Sequence, residues 1–317
     1  MPYRKTEDEE FRAVIWGTEI ELATGNSLHR PVLLRESLHS RKCAEGPHIY
    51  KKDGWYYLLV AEGGNVLDHQ VRMARSKSPL GPYEEPPKGH NPFLFNGHHH
   101  PHVQSTGHAD LVQDKSGNWW AFFLAIRTQA NGIAPLGREC WFTPVVWEAN
   151  EWPVFNAKQP VDLQVVTSLL PAQDTFEGWV DKFDSSESNN IAEATYANIP
   201  DLLDRTWYHL RTPQKPYHSL TDRPGSLALK GNGYSISDVE APAMILKKQT
   251  HLTGVWTAEL DFNPSTENEE AGTAVFWSCF AYAAIIVRRN AGEGTRSVVL
   301  RWTDPDCDEY KVSEFTQ

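Results

Sequence analysis

Two stretches about 60 residues apart repeat one order of events along the chain. Gly46 and Gly107 each open a short apolar strand, an Asp-containing turn ending in Gly follows, and an aromatic strand leaves it, Trp55 to Val60 in the first case and Trp119 to Ile126 in the second. The residue types explain the reading. Tyr, Trp, Val and Ile favour a pleated, half-buried surface, and Lys52-Asp53-Gly54 offers the positive φ that a tight hairpin needs. A repeat of about 60 residues is the scale of one four-stranded propeller blade. Residues 11–42 supply part of a third unit, with Val14 to Leu22, a turn at Thr24-Gly25-Asn26, and Val32-Leu33-Leu34. About two and a half blades are therefore expected.

The chain has 317 residues, enough for two domains. Its 12 Trp, 11 Tyr and 13 Phe, with 21 Pro and 21 Gly, suit many short strands joined by turns. From about Val161 the pattern changes. A polar, Ser/Asn-rich stretch with one helix expected around Ile199 to Trp207 leads into strand-like runs at Ser226 to Lys230, Val255 to Phe262, Ala274 to Phe280, Ala284 to Arg288 and Ser297 to Trp302. Their regular spacing reads as a β-sandwich.

A formal net charge of -11 without a basic block excludes a phosphate-tracking surface for nucleic acid. No run is long enough to span a membrane, and Met1 to Glu10 lacks the apolar core of a secretion signal. The chain as written is expected in the cytoplasm, or outside the cell if the biological N-terminus lies upstream. Cys43, Cys140, Cys279 and Cys307 are widely spaced and read as free, mostly buried thiols.

The motifs resemble one family. Ala44-Glu45-Gly46-Pro47-His48-Ile49-Tyr50 is similar to the segment of the family 43 glycoside hydrolases, the β-xylosidases and α-L-arabinofuranosidases, whose Glu is the general acid. Gly107-His108-Ala109-Asp110-Leu111-Val112 with Gly117-Asn118-Trp119-Trp120-Ala121, then Leu136-Gly137-Arg138-Glu139, then Trp152-Pro153-Val154, resemble further segments in that family's order. Ile15-Trp16 and the run Glu19 to Gly25 resemble the segment before the acid. Leu210-Arg211-Thr212-Pro213, Leu220 to Gly225 and Asn268 to Gly272 resemble the concanavalin-A-like sandwich of the β-xylosidase branch.

The resemblance implies an all-β fold: a partial five-bladed β-propeller over residues 1–157, then an incomplete concanavalin-A-like β-sandwich over 158–317. Five blades of about 60 residues would need about 300, and about 155 precede the sandwich. A family member shortened at both ends is the expectation, with unpaired blade edges that favour self-association.

The implied activity is hydrolysis of O-glycosyl bonds in β-1,4-xylosides or α-L-arabinofuranosides, with inversion, during hemicellulose breakdown. Its substrate would be a xylo-oligosaccharide or an arabinoside. Such cleavage ordinarily uses two carboxyl groups and no cofactor, although a structural Ca²⁺ needs only clustered oxygens. By resemblance Glu45 is the acid, and His108 and Arg138 contact substrate. The alternatives are a strand-edge carboxylate, a histidine hydrogen-bonded at a strand start, and a salt-bridging arginine. The Asp base and the Asp that tunes the acid have no match, which leaves Asp68, Glu62 and Glu139 as stand-ins. A catalytically dead, carbohydrate-binding remnant is the rival reading. His98-His99-His100 with His102 could bind a transition metal or form an exposed loop. Trp55, Trp119, Trp120 and Trp141 could stack sugars, though their strand positions favour packing.

Overall fold

The computed structural model describes residues 13–39, 43–129, 132–165, 167–170, 178–183, 203, 206–292, 294–303 and 312–316. The chain divides into two compact units, Met1–Asp174 and Thr175–Gln317. No α-helix occurs among the described residues.

Among the described residues the first unit holds nine strands: β1 (Val14–Gly17), β2 (Val32–Glu36), β3 (Ala44–Lys52), β4 (Trp55–Glu62), β5 (Gln70–Ser76), β6 (Val103–Gln113), β7 (Trp119–Arg127), β8 (Arg138–Val146) and β9 (Val154–Phe155). They form three antiparallel sheets, β1-β2, β3-β4-β5 and β6-β7-β8-β9. This is the expected blade order. The β3-β4 turn has Asp53 and Gly54 at φ 49° and 74°, so both central residues take the positive φ of a type I′ turn. Strand β1 is shorter than the expected Val14 to Leu22. Beyond Gly17 the chain folds back, with Gly25 N–H donating to the Glu21 carbonyl at 2.7 Å, and only the bridge Ile20 to Ser27 remains.

One core joins the second and third sheets. Tyr57, Leu59, Val71 and Met73 of the second meet Val103, Ala109, Leu111, Ala121 and Phe123 of the third, all nearly solvent-free. Trp147 packs edge-on against Tyr57 at 4.8 Å and Trp119 at 5.1 Å between ring centroids. Direct hydrogen bonds tie the same two sheets. The Leu111 N–H donates to the Tyr50 hydroxyl at 2.8 Å, and the Tyr57 hydroxyl donates to the Glu151 carbonyl at 2.9 Å. Burial pushes the Tyr50 phenol up to about 12, so it stays a neutral linker. Val161 also belongs to this core, held through its backbone by Asn96. The first unit therefore runs past the expected boundary at 157.

The first sheet is fastened differently. Ile15, Leu58 and Val60 make a small apolar contact, and beside it Glu62 lies fully buried. Its carboxylate accepts from Arg35 Nε at 2.9 Å, Ser37 Oγ at 3.2 Å, and the N–H groups of Leu38 at 3.1 Å and His39 at 2.8 Å. Arg35 also pairs with Glu85.

The second unit contains β10 (Trp207–His209), β11 (His218–Ser219), β12 (Ala228–Leu229), β13 (Ile245–Lys247), β14 (Glu270–Ser278), β15 (Ala281–Arg289), β16 (Arg296–Thr303) and β17 (Val312–Thr316). The last four form one antiparallel meander, whose Tyr282, Ala284, Ile286 and Val299 pack together. Three of the five expected runs fall in this meander, and a fourth holds β12. The fifth is corrected: Val255 to Phe262 forms no ladder, and Val255 is 95 % exposed. Alternation gives a segment strand character, but a ladder also needs a partner edge, and none lies beside this one among the described residues. Most of the helix expected around Ile199 to Trp207 lies outside the described residues, and Trp207 itself pairs in β10 with Lys247. The expected buried thiols also need correction, since Cys140 is exposed and Cys43 and Cys279 are half-buried, all three free; Cys307 lies outside the described residues.

Removing one partner of a buried ion pair strands the other charge and typically costs about 3–5 kcal/mol. Glu62→Leu should therefore loosen the first sheet. Hydrogen exchange of the amides of Val32 to Glu36 and of Leu38 should accelerate by at least about a hundredfold, with smaller changes in β7; unchanged exchange would show that the apolar contact alone holds the sheet.

Candidate active site

Strands β3, β5, β6 and β8 all begin at the same end of their sheets. Glu45 pairs with Ala61 and Glu62 with Gln70 in one sheet, and Val103 pairs with Arg127 and Arg138 with Ile126 in the other. Glu45, the expected acid, the two expected substrate contacts and one residue not singled out from sequence lie towards this end.

Two backbone irregularities shape it. The β3 ladder slips between Glu45 and His48, where Gly46 has φ 54°. The β6 ladder slips twice, between Gln104 and Gly107 and between Gly107 and Asp110, with Ser105 and His108 at φ 55° and 54°. Positive φ is costly for a residue with a Cβ, by about 1–3 kcal/mol, and persists only where surroundings impose it. The bulges re-aim side chains that a regular pleat would direct elsewhere.

As a result, His108 reaches across to the neighbouring sheet. Its ring lies on the backbone of Gly46, where a Cβ would come within 2.3 Å of Nε2, and its Nδ1 is 4.0 Å from Glu45 Oε1. Both side chains remain open to solvent, at 37 % and 54 %. A second ring sits behind this pair. His69 is completely buried and edge-on to His108, with centroids 6.4 Å apart, and rests on Gly107, where a Cβ would fall 2.5 to 2.7 Å from its ring atoms. Burial holds the His69 imidazole below its usual pKa, helped by the positive neighbours His108 and Arg138 and opposed by the hydrogen bond to Ser105 and the charge of Glu45. Arg138 is exposed at the start of β8 and forms no ion pair among the described residues. Its neighbour Glu139 pairs with Arg127 at 2.8 Å.

The stand-in bases are committed elsewhere. Glu62 is enclosed as described, Asp68 pairs with His98 at 2.6 Å, and Glu139 is held by Arg127. Asp110 serves the strand packing instead, 3.0 Å from His48 and 3.4 Å from the Tyr50 hydroxyl. The histidine run is a hydrogen-bonded loop. His102 pairs with Asp162 at 2.9 Å, and His100 accepts from the Val103 N–H. No group of three or more metal-ligating side chains occurs among the described residues. The four tryptophans pack: Trp120 is buried, Trp119 and Trp141 border the core, and Trp55 lies under Arg75 at 4.0 Å.

Residues 3–153 match the profile of glycosyl hydrolases family 43, and residues 200–316 match that of the beta xylosidase C-terminal concanavalin A-like domain. The chain belongs to glycosyl hydrolase family 43. Its family relatives include a non-reducing end alpha-L-arabinofuranosidase of Bacteroides ovatus, 38 % identical over 279 residues that make up 85 % of this chain and 49 % of the relative. A beta-xylosidase of Bacillus subtilis is 28 % identical over 86 % of this chain and 49 % of its own. Among solved family 43 structures, that of a Bacteroides ovatus xyloglucan-locus protein superposes with a TM-score of 0.76 at 30 % identity, covering 97 % of this chain and 57 % of that one. The fold is thus the family's all-β propeller and β-sandwich. The chain spans about half the length of the curated family relatives it matches.

Sequence reasoning missed His69. Asp68-His69-Gln70 looks like an ordinary strand entry, and the one available signal was a histidine sitting between a turn and the alternating strand Val71-Arg72-Met73-Ala74.

Gly25 and Gly46 separate backbone strain from crowding. Both have positive φ, but a Cβ at Gly25 would touch nothing within 4 Å. Gly25→Ala should cost about 1 kcal/mol, whereas Gly46→Ala should cost about 2–5 kcal/mol, because overpacking adds to the strain. Denaturant titration of the two variants measures the difference; equal costs would mean that His108 does not rest on Gly46.

Proposed function

We propose that this chain hydrolyses O-glycosyl bonds of β-1,4-xylosides or α-L-arabinofuranosides with inversion, with Glu45 as general acid and His108 and Arg138 as sugar contacts. The observation that carries this reading is the convergence of Glu45 and His108 across two sheets. Glu45 is also free of the ion pairs that engage Glu62, Asp68 and Glu139. The named activities of the family relatives, xylosidase and arabinofuranosidase, support the substrate class.

Protonated Glu45 gives its proton to the glycosidic oxygen as the bond from that oxygen to the anomeric carbon breaks. A water attacks the opposite face of the sugar and loses its proton to a carboxylate base. No cofactor enters these steps. His108 and Arg138 can hold sugar hydroxyls, the guanidinium with paired N–H donors. The base is not Glu62, Asp68 or Glu139, each of which would have to leave an ion pair. That same commitment favours a second reading, in which the chain binds sugar without cleaving it.

Acid assistance matters most when the leaving group is poor. Glu45→Gln should lower turnover of xylobiose by about 10²–10⁴-fold and turnover of an activated aryl xyloside by much less, and NMR should show α-xylose as the first anomer released. Equal turnover by wild type and Glu45→Gln would remove the acid assignment. No turnover by folded wild type, with calorimetric xylobiose binding that Arg138→Ala abolishes, would establish the second reading.

A further inference from the structure

We propose that His69 is a positioning residue of this site: its Nδ1–H, donated to the Ser105 carbonyl, holds the twice-bulged backbone of β6 in the shape that turns His108 toward Glu45. The kinetic part of this inference rests on the glycosidase reading; the structural part does not.

The contacts run in sequence from one sheet to the other. The backbone of His69 is fixed where its N–H donates to the Val66 carbonyl at 2.9 Å, at the turn that enters β5. Its Nδ1 lies 3.0 Å from the Ser105 carbonyl. A carbonyl only accepts, so Nδ1 carries the proton and Nε2 presents a lone pair. Ser105 is the first positive-φ residue of the β6 irregularity and His108 the second. Between them Gly107 lies directly beneath the His69 ring. One imidazole thus grips the bulge at two points, by hydrogen bond at its start and by ring contact at its centre. The bulge ends in the ring that rests on Gly46 and faces Glu45.

Packing alone does not account for a histidine here. The His69 Nε2 is buried and has no hydrogen-bond partner among the described residues. An unpaired buried acceptor is destabilising, and a leucine of similar bulk would avoid it. What leucine lacks is the Nδ1–H. Burial also keeps the ring neutral, the form in which one nitrogen donates and the other does not.

The first measurement uses the unaltered 317-residue chain labelled with ¹⁵N-histidine. Long-range ¹H–¹⁵N correlation at pH 7 should show His69 neutral and protonated on Nδ1; an Nε2–H tautomer or an imidazolium would overturn the proposal. The second uses His69→Leu and His69→Asn, because the asparagine amide places an N–H donor on the same Cγ. In His69→Leu, kcat/KM for an aryl xyloside should fall at least about tenfold, as expected when a substrate-contacting group is misplaced. The His108 signals should shift and stop responding to Glu45→Gln. His69→Asn should restore both. Wild-type His108 signals in a folded His69→Leu, or an asparagine variant as impaired as leucine, would overturn the proposal. If leucine prevents folding, the tautomer and the asparagine variant decide. A chain that cleaves no glycoside but shows the tautomer and the His108 response keeps the positioning role and loses the glycosidase reading.

Discussion

An aromatic ring can lie against a polypeptide backbone only where no Cβ stands in the way, and that constraint organises this site twice. Gly46 admits the His108 ring and Gly107 admits the His69 ring. Each glycine belongs to the first strand of its sheet, and each strand is bulged at that point. The close approach of the two sheets at Glu45 follows from these two vacancies, because any larger side chain at either position would push an imidazole away. Strain in the left-handed residues Ser105 and His108 is sustained by the core behind them, where Tyr57, Leu59, Val103 and Phe123 are nearly sealed from solvent.

That core also explains why four acidic residues of similar sequence context have different fates. Glu62 lies inside the first unit and would be very costly there without Arg35 and two backbone N–H groups. Asp68 and Glu139 lie nearer the surface, each matched to a basic side chain on a neighbouring segment, His98 and Arg127. Among the described residues Glu45 pairs with an imidazole alone, at 4.0 Å, beyond hydrogen-bonding distance. A carboxyl group that is to donate a proton cannot be locked as the acceptor of a permanent cation, since such a partner stabilises the ionised form. Pairing therefore separates the three committed carboxylates from the proposed acid more sharply than burial does.

The hairpin at Asp53-Gly54, the aromatic strands and the packing role of the tryptophans were legible in the sequence because each depends on local preference and period-two alternation. Glu45 and His108 were singled out only by resemblance, and their contact was not legible at all. It depends on bulges, which add or drop a residue in a ladder and leave no mark on alternation over so few positions. His69 was invisible for a related reason: its meaning lies in a carbonyl 36 residues away that only the fold brings near. Val255 to Phe262 shows the opposite failure, a strand pattern that finds no edge among the described residues. Its Val255 stands in solvent, and Trp256 and Leu260 are about half exposed.

The repeat itself gives the deepest connection between sequence and chemistry. Glu45 and Thr106 occupy equivalent places in two successive units, and the residues that follow them, Gly46 in one and Gly107-His108 in the other, carry the bulges. In an antiparallel sheet with short hairpins the first and third strands start at the same end, so a change near the start of β3, β5, β6 or β8 always faces the same region. A repeated unit can thus diverge to place a carboxyl group on one copy, an imidazole and its support at the junction of two, and a guanidinium on the third strand of the next. None of these changes disturbs the aromatic residues that hold the units together. The site is assembled from irregularities at one end of a regular array, and the regularity of the rest is what keeps those irregularities in place.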